Sequence, residues 1–99
     1  MNMQAMLKQA QKMQKGMLEA QKEIEAMEFE GKSSIVTVKM NGKKQILSVK
    51  VDSDSLDKEE IEMLEDMIIV ATNDAMKQVD KITEEKMGVY TKGLPAGLF

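Results

Sequence analysis

Residues 35–51 read IVTVKMNGKKQILSVKV, and their alternation decides the architecture. Val36, Val38 and Met40 share one face of an extended run. Leu47, Val49 and Val51 share one face of the next, because successive strand side chains point to opposite sides. Asn41-Gly42 between the two runs is a strong hairpin signal. A two-residue and a four-residue loop both bring these apolar sets onto the same side, so the turn type stays open. The outer face carries Lys39 and Lys50, and with a two-residue turn Lys44 stands directly across from Lys39. Like charges facing each other mildly destabilise a sheet, so this face is open to water or to an anion. Just upstream, MEFEGKS (27–33) reads as a shorter third strand with Phe29 pointing inward.

On both sides of this region the period becomes helical. Met3, Met6, Ala10, Met13, Met17, Ala20, Ile24 and Met27 are spaced alternately three and four apart. That is a heptad seam over residues 1–27, which predicts a long helix packed coiled-coil fashion. Lys8, Lys15 and Lys22 fall opposite the seam with Lys12 beside them, and Glu19 interrupts the stripe. Gly16 weakens a helix interior by up to about 1 kcal/mol, and its place beside the seam suits a close helix approach. After the strands, Asp57 and Glu60 form a capping box, with further acids where the helix dipole favours them. Ile61, Leu64, Ile68, Ala71, Ala75 and Ile82 give the second helix its apolar stripe, widened by Met67 and Val79. Gly88 is its expected C-cap, and residues 89–99 are expected to form a flexible tail.

The totals bound what such a chain can do. Its 99 residues make one small domain, with two Phe, one Tyr, no Trp and eleven Met to build a core. Met fills irregular gaps but specifies geometry poorly, so part of the apolar surface is expected to be buried against another subunit. With no Cys and no His, there is no disulfide or thiolate site, and the commonest general base and metal ligand is missing. The first residues interleave apolar side chains with Gln and Lys instead of forming a signal-peptide core. No run approaches the roughly 18 apolar residues of a membrane span. The expectation is a soluble, cytoplasmic protein.

Several patterns invite chemistry. DSDSLDKEEIEM (52–63) resembles a calcium loop until positions are counted: from Asp52, the fifth is Leu56, the sixth Asp57 instead of Gly, and the twelfth Met63 instead of Glu. A solvated helix start explains it better. The methionine stripe fits an ordinary packing core, a re-packable surface for partner helices, or a soft-metal site, and its strict spacing favours the core. Enzyme motifs are missing: no GxSxG, no phosphate-cradling glycine loop, no Cys or His constellation. The lysine ridge remains. Residues 1–18 hold no acid although the whole chain has a net charge of −3, and Gln4, Gln9, Gln11, Gln14 and Gln21 surround the lysines. Lysines neutralise phosphates, and glutamines hydrogen-bond to phosphates or base edges. The bland alternative is a solvated outer face.

LKQAQKMQ (7–14), EFEG (28–31), VKVDSDSL (49–56), EMLEDMI (62–68), NDAM (73–76) and GLPAGLF (93–99) together resemble the YbaB/EbfC family of bacterial nucleoid-associated proteins. The match runs nearly end to end. It implies an α-β-β-β-α protomer, a homodimer with long projecting helices, and DNA binding with little sequence preference. It also implies contacts from polar and basic residues on the first and last helices, here Lys8, Gln11, Lys12 and Lys15, with Lys77 and Lys81.

The resulting expectation is a single α+β domain over residues 1–99: a long N-terminal helix, a three-stranded antiparallel sheet and a C-terminal helix, assembled as a homodimer in the nucleoid. Double-stranded DNA is the expected partner. Lys8, Gln11, Lys12, Lys15, Lys22, Lys77 and Lys81 are its expected contacts, and Met6, Met13, Met17 and Ile24 form the dimer or core seam. No catalytic residue, metal, cofactor, membrane or small-molecule substrate is expected. The alternative is a coiled-coil adaptor that uses its Met-rich seam to engage another protein.

Overall fold

A computed structural model describes residues 2–91. The chain forms α1 (Met3–Ala26), β1 (Glu28–Ser33), β2 (Val36–Asn41), β3 (Ile46–Val51) and α2 (Lys58–Thr91). The strands make one antiparallel sheet in the order β1-β2-β3, so the α-β-β-β-α order holds. The Cα radius of gyration is 19.4 Å, against about 13 Å for a compact chain of this length. The excess comes from the helices, roughly 36 and 51 Å long at 1.5 Å per residue.

The alternation read from residues 35–51 does its work in β2. Val36, Val38 and Met40 are buried there, and Thr37 and Lys39 face away. Phe29 and Met40 pack with Ala75 and Val79 of α2. Val36 and Val38 pack with Ala71, flanked by Leu64, Met67 and Ile68. Each large side chain buried in this way contributes about 1.5–3 kcal/mol relative to exposure. The helix period fits because Ala71, Ala75 and Val79 recur every four residues on one stripe.

β1 crosses α2 almost backbone to backbone. A Cβ on Gly31 would collide with the Ala71 carbonyl and with the Ala75 amide nitrogen. Two hydrogen bonds fix the crossing: the Lys32 N–H donates to Asp74 Oδ2 (3.2 Å), and Gln78 Nε2 donates to the Glu30 carbonyl (2.6 Å). This anchoring makes β1 as long as its neighbours at six residues, not the shorter strand its sequence suggests.

The hairpin forms where Asn41-Gly42 predicts, but by different turn chemistry. The Lys44 N–H donates to the Asn41 carbonyl and the Asn41 N–H to the Gln45 carbonyl. Lys44 is the residue in the left-handed region, at φ 63°. Lys39 therefore pairs with Ser48, not Lys44, and a register shift brings Met40 opposite Ile46. Lys44 turns away to meet Asp80 Oδ1 at 2.7 Å. Gly42 serves a different purpose: a Cβ there would strike the Ile24 carbonyl at the end of α1.

The capping box forms as read, with the Glu60 N–H on Asp57 Oδ1 (2.8 Å) and the Asp57 N–H on Glu60 Oε1 (3.4 Å). Gly88 does not end α2. The helix continues through it to Thr91, carrying Tyr90 to a seat on α1. Residues 89–91 of the expected tail thus belong to α2, and its remainder, residues 92–99, lies outside the described residues.

Gly31→Ala tests the crossing. It is expected to lower unfolding stability in urea by about 3 kcal/mol, because backbone atoms cannot give way as a flexible side chain can. Gly88→Ala, whose Cβ meets nothing within 4 Å, is expected to raise stability by up to about 1 kcal/mol.

Candidate nucleic-acid interface

Helix α1 starts at Asn2, whose Oδ1 caps the Ala5 N–H at 2.8 Å. Only its second half is docked. Gly16 lies under Tyr90, where a Cβ would come 2.7 Å from the phenol oxygen. Further along, Glu23 Oε2 accepts from Lys86 Nζ at 3.3 Å, and Ile24 is buried. As α1 numbers rise, the facing α2 numbers fall, so the helices are antiparallel. The close approach expected at Gly16 is therefore present, with a single aromatic ring as its cause.

Beyond Gly16 the helix projects. Met6 and Met13, both expected seam residues, are 56% and 47% exposed in the single chain. Met17 is half-buried and Ile24 is fully in the core. The seam is thus two surfaces: Met17 to Ile24 packs within the chain, and Met3 to Met13 does not. On the same projecting half, Lys8, Gln11, Lys12 and Lys15 are exposed, as is Lys22 nearer the sheet. Among the described residues the ion pairs are Lys39–Glu30, Lys44–Asp80 and Lys86–Glu23, none of which engages a ridge lysine.

Lys77 and Lys81 are also exposed, but the structure does not bring them to the ridge. Counting from the Gly16–Tyr90 crossing, Lys8 and Lys77 lie on opposite sides of it, roughly 30 Å apart along the helix axes at 1.5 Å per residue. Lys77 instead borders a hollow with Lys32, Asn73 and Asp74 beside β1.

Two surfaces were not legible as units in the sequence. The first is the inner face of β3. Val49 pairs with Val38 on one face, yet Val38 is fully buried and Val49 is 46% exposed, because α2 lies over β1 and β2 only. Leu47 and Ile46 are similarly bare. On α2, Ile61, Ile68, Ile69 and Thr72 lie on the flank opposite Asp74, at about 100° per residue. Since Asp74 holds β1, that flank is turned away from β1. The second surface is the outer sheet face, where the register aligns Lys32 with Thr37 and Lys50, and Glu30 with Lys39 and Ser48. Alternation alone finds Lys39 and Lys50, but Lys32 joins them only through pairing.

Among the described residues, no group of three or more His, Cys, Asp or Glu could hold a metal, and no helix is long and apolar enough to cross a membrane. What the arrangement offers is exposed ammonium groups on a projecting helix.

Comparison with known proteins concerns the chain as a whole. Residues 1–94 match the sequence model of the YbaB/EbfC DNA-binding family. The chain belongs to that family. It is 48% identical over 97 residues to a nucleoid-associated protein of Lactococcus lactis subsp. lactis, covering 96% of this chain and 98% of the relative. Nucleoid-associated proteins of Enterococcus faecalis (42% over 96 residues, 95% and 92% covered) and Ligilactobacillus salivarius (40% over 97 residues, 96% and 93% covered) are also similar. The YbaB/EbfC resemblance read from short motifs thus extends over the whole described fold.

Replacing Gly16 by Leu is expected to unseat Tyr90 and loosen α1. Amide exchange over residues 14–20 should accelerate about tenfold or more, equivalent to a local loss of about 1.4 kcal/mol. Protection in β2 should not change.

Proposed function

We propose that this YbaB/EbfC protein is a nucleoid-associated homodimer that binds duplex DNA through the projecting half of α1, with little sequence discrimination. The observation that carries the reading is the run of exposed Lys8, Lys12 and Lys15 on a helix half that holds no acid. Lysines act on phosphates as point charges. The chain has no arginine to grip guanine edges bidentately, which favours backbone contact over base readout. Gln11 lies within this ridge as a positioning hydrogen-bonder. Lys22, Lys77 and Lys81 are outlying contacts that a long duplex could reach. The site of action is the nucleoid, within the bacterial cytoplasm.

The dimer contact is assigned to β3. It is an edge strand with unpaired backbone groups, no proline and a bare apolar face, and such an edge is a template for pairing with another chain. The neighbouring Ile61 and Ile69 of α2 extend that face. A second copy joined here would bury what the first leaves uncovered.

A second reading is favoured by Met3, Met6, Leu7 and Met13, all exposed on the arm. In it the arm docks a helix of another protein. Binding of that kind is insensitive to salt, whereas phosphate contacts release counterions.

With about six phosphate contacts per dimer, log K for a labelled duplex is expected to fall with log[salt] at a slope of roughly −5. Lys8→Glu, Lys12→Glu and Lys15→Glu together should abolish most of that slope while the circular dichroism spectrum is retained. An unchanged slope would refute the site assignment. Separately, Val49→Asp should convert the dimer to a folded monomer by sedimentation, since Val49 is already half-exposed in the protomer. A dimer that survives this change places the contact elsewhere.

A further inference from the structure

We propose that the outer face of the sheet is a second surface for the phosphate backbone of duplex DNA, distinct from the ridge on α1. The idea rests on the DNA-binding reading above and extends it to residues outside the helices. Lys32, Thr37 and Lys50 stand side by side on three adjacent strands, and Lys39 and Ser48 occupy the next row but one along the strands. With strands about 4.8 Å apart, the two outer lysines are anchored about 10 Å from each other. Together with Glu30 these residues line one open depression.

Three features suit a phosphate backbone better than a protein partner. The face carries no large apolar side chain: its strand residues are Glu28, Glu30, Lys32, Thr37, Lys39, Asn41, Ser48 and Lys50. It therefore lacks the apolar or aromatic anchor on which a protein interface centres. Its one ion pair is loose, with Lys39 Nζ 3.9 Å from Glu30 Oε1 and both side chains nearly half exposed. Exposed pairs of that kind are worth little, so Lys39 can exchange Glu30 for phosphate. The hydroxyls of Thr37 and Ser48 supply neutral donors between the ammonium groups, and hydroxyls commonly contact phosphate oxygens.

The surface is separate from the α1 ridge because acids lie between them. Between Lys22 and the first residue of β1 the chain passes Glu23 and Glu25 with no lysine intervening. α2 covers only the opposite face of the sheet, so no part of the described chain screens this one. If two copies join at β3, their outer faces continue into one another and the lysine count of the platform doubles.

The test compares two neutralised variants by anisotropy of a fluorescein-labelled duplex across a salt series: Lys32→Gln/Lys39→Gln/Lys50→Gln on the sheet and Lys8→Gln/Lys12→Gln/Lys15→Gln on α1. The sheet variant should weaken binding at low salt and reduce the magnitude of the slope by about 2 or more, at roughly 0.9 per lost phosphate contact. The corresponding triple Lys→Arg variant should keep the parental slope. If the sheet variant matches the parent while the α1 variant loses affinity, the second surface is refuted and the α1 reading stands. If neither variant changes binding, the DNA reading falls with it. A parental slope combined with loss of binding to labelled poly-glutamate assigns the face to an acidic protein and overturns the proposal. Should the sheet triple fail to fold by circular dichroism, Lys32→Gln and Lys50→Gln singly are each expected to shift the slope by about 1.8, one contact in each copy of the dimer, and no shift in either refutes it.

Discussion

Everything in this fold depends on how closely β1 passes over α2. Gly31 has no side chain and Ala71 and Ala75 have almost none, so strand and helix approach until backbone nearly meets backbone. That proximity lets Asp74 and Gln78 hydrogen-bond to the strand and sets the sheet's position under the helix. It also sets the fold's asymmetry: a helix fixed over β1 and β2 cannot cover β3 as well. The bare face of Val49 is therefore a direct consequence of the tight crossing at the other edge.

The same crossing separates the molecule's surfaces. α2 packs on both the sheet and α1, which meet each other where Gly42 abuts Ile24. Charge follows that division unevenly: the net charge of −3 averages a lysine-only arm, an acidic junction and an acid-rich start to α2. Electrostatic attraction to a polyanion is a matter of local patches within a screening length of about 8–10 Å. The average is the less informative quantity.

The sequence carried the order of elements because each follows a local rule: period two in β2, period 3.6 in the helices, Asp57 and Glu60 at a helix start. It misjudged points that depend on distant contacts. Gly88 looks like a stop, but Tyr90 beyond it finds Gly16, and α2 continues. Asn41-Gly42 marks the turn correctly, yet the left-handed residue is Lys44, because Gly42 is needed where the loop abuts Ile24. MEFEGKS reads as a shorter strand, yet β1 runs six residues because α2 supplies its partner. Lys8, Gln11, Lys12 and Lys15 were legible as a helical ridge. Their distance from Lys77 and Lys81 was not, since it follows from the antiparallel overlap of the helices. A heptad seam likewise does not reveal which of its turns has a partner within the chain.

The ring of Tyr90 on Gly16 gives α1 a fulcrum. About 13 residues lie beyond it, a lever of roughly 20 Å, while the short side of the helix is held by Ile24 and Glu23. Geometry amplifies small motions at such a point: a tilt of about 5° there carries the tip through nearly 2 Å. A substitution in the Tyr90 seat would thus re-aim the whole ridge without removing any of its lysines.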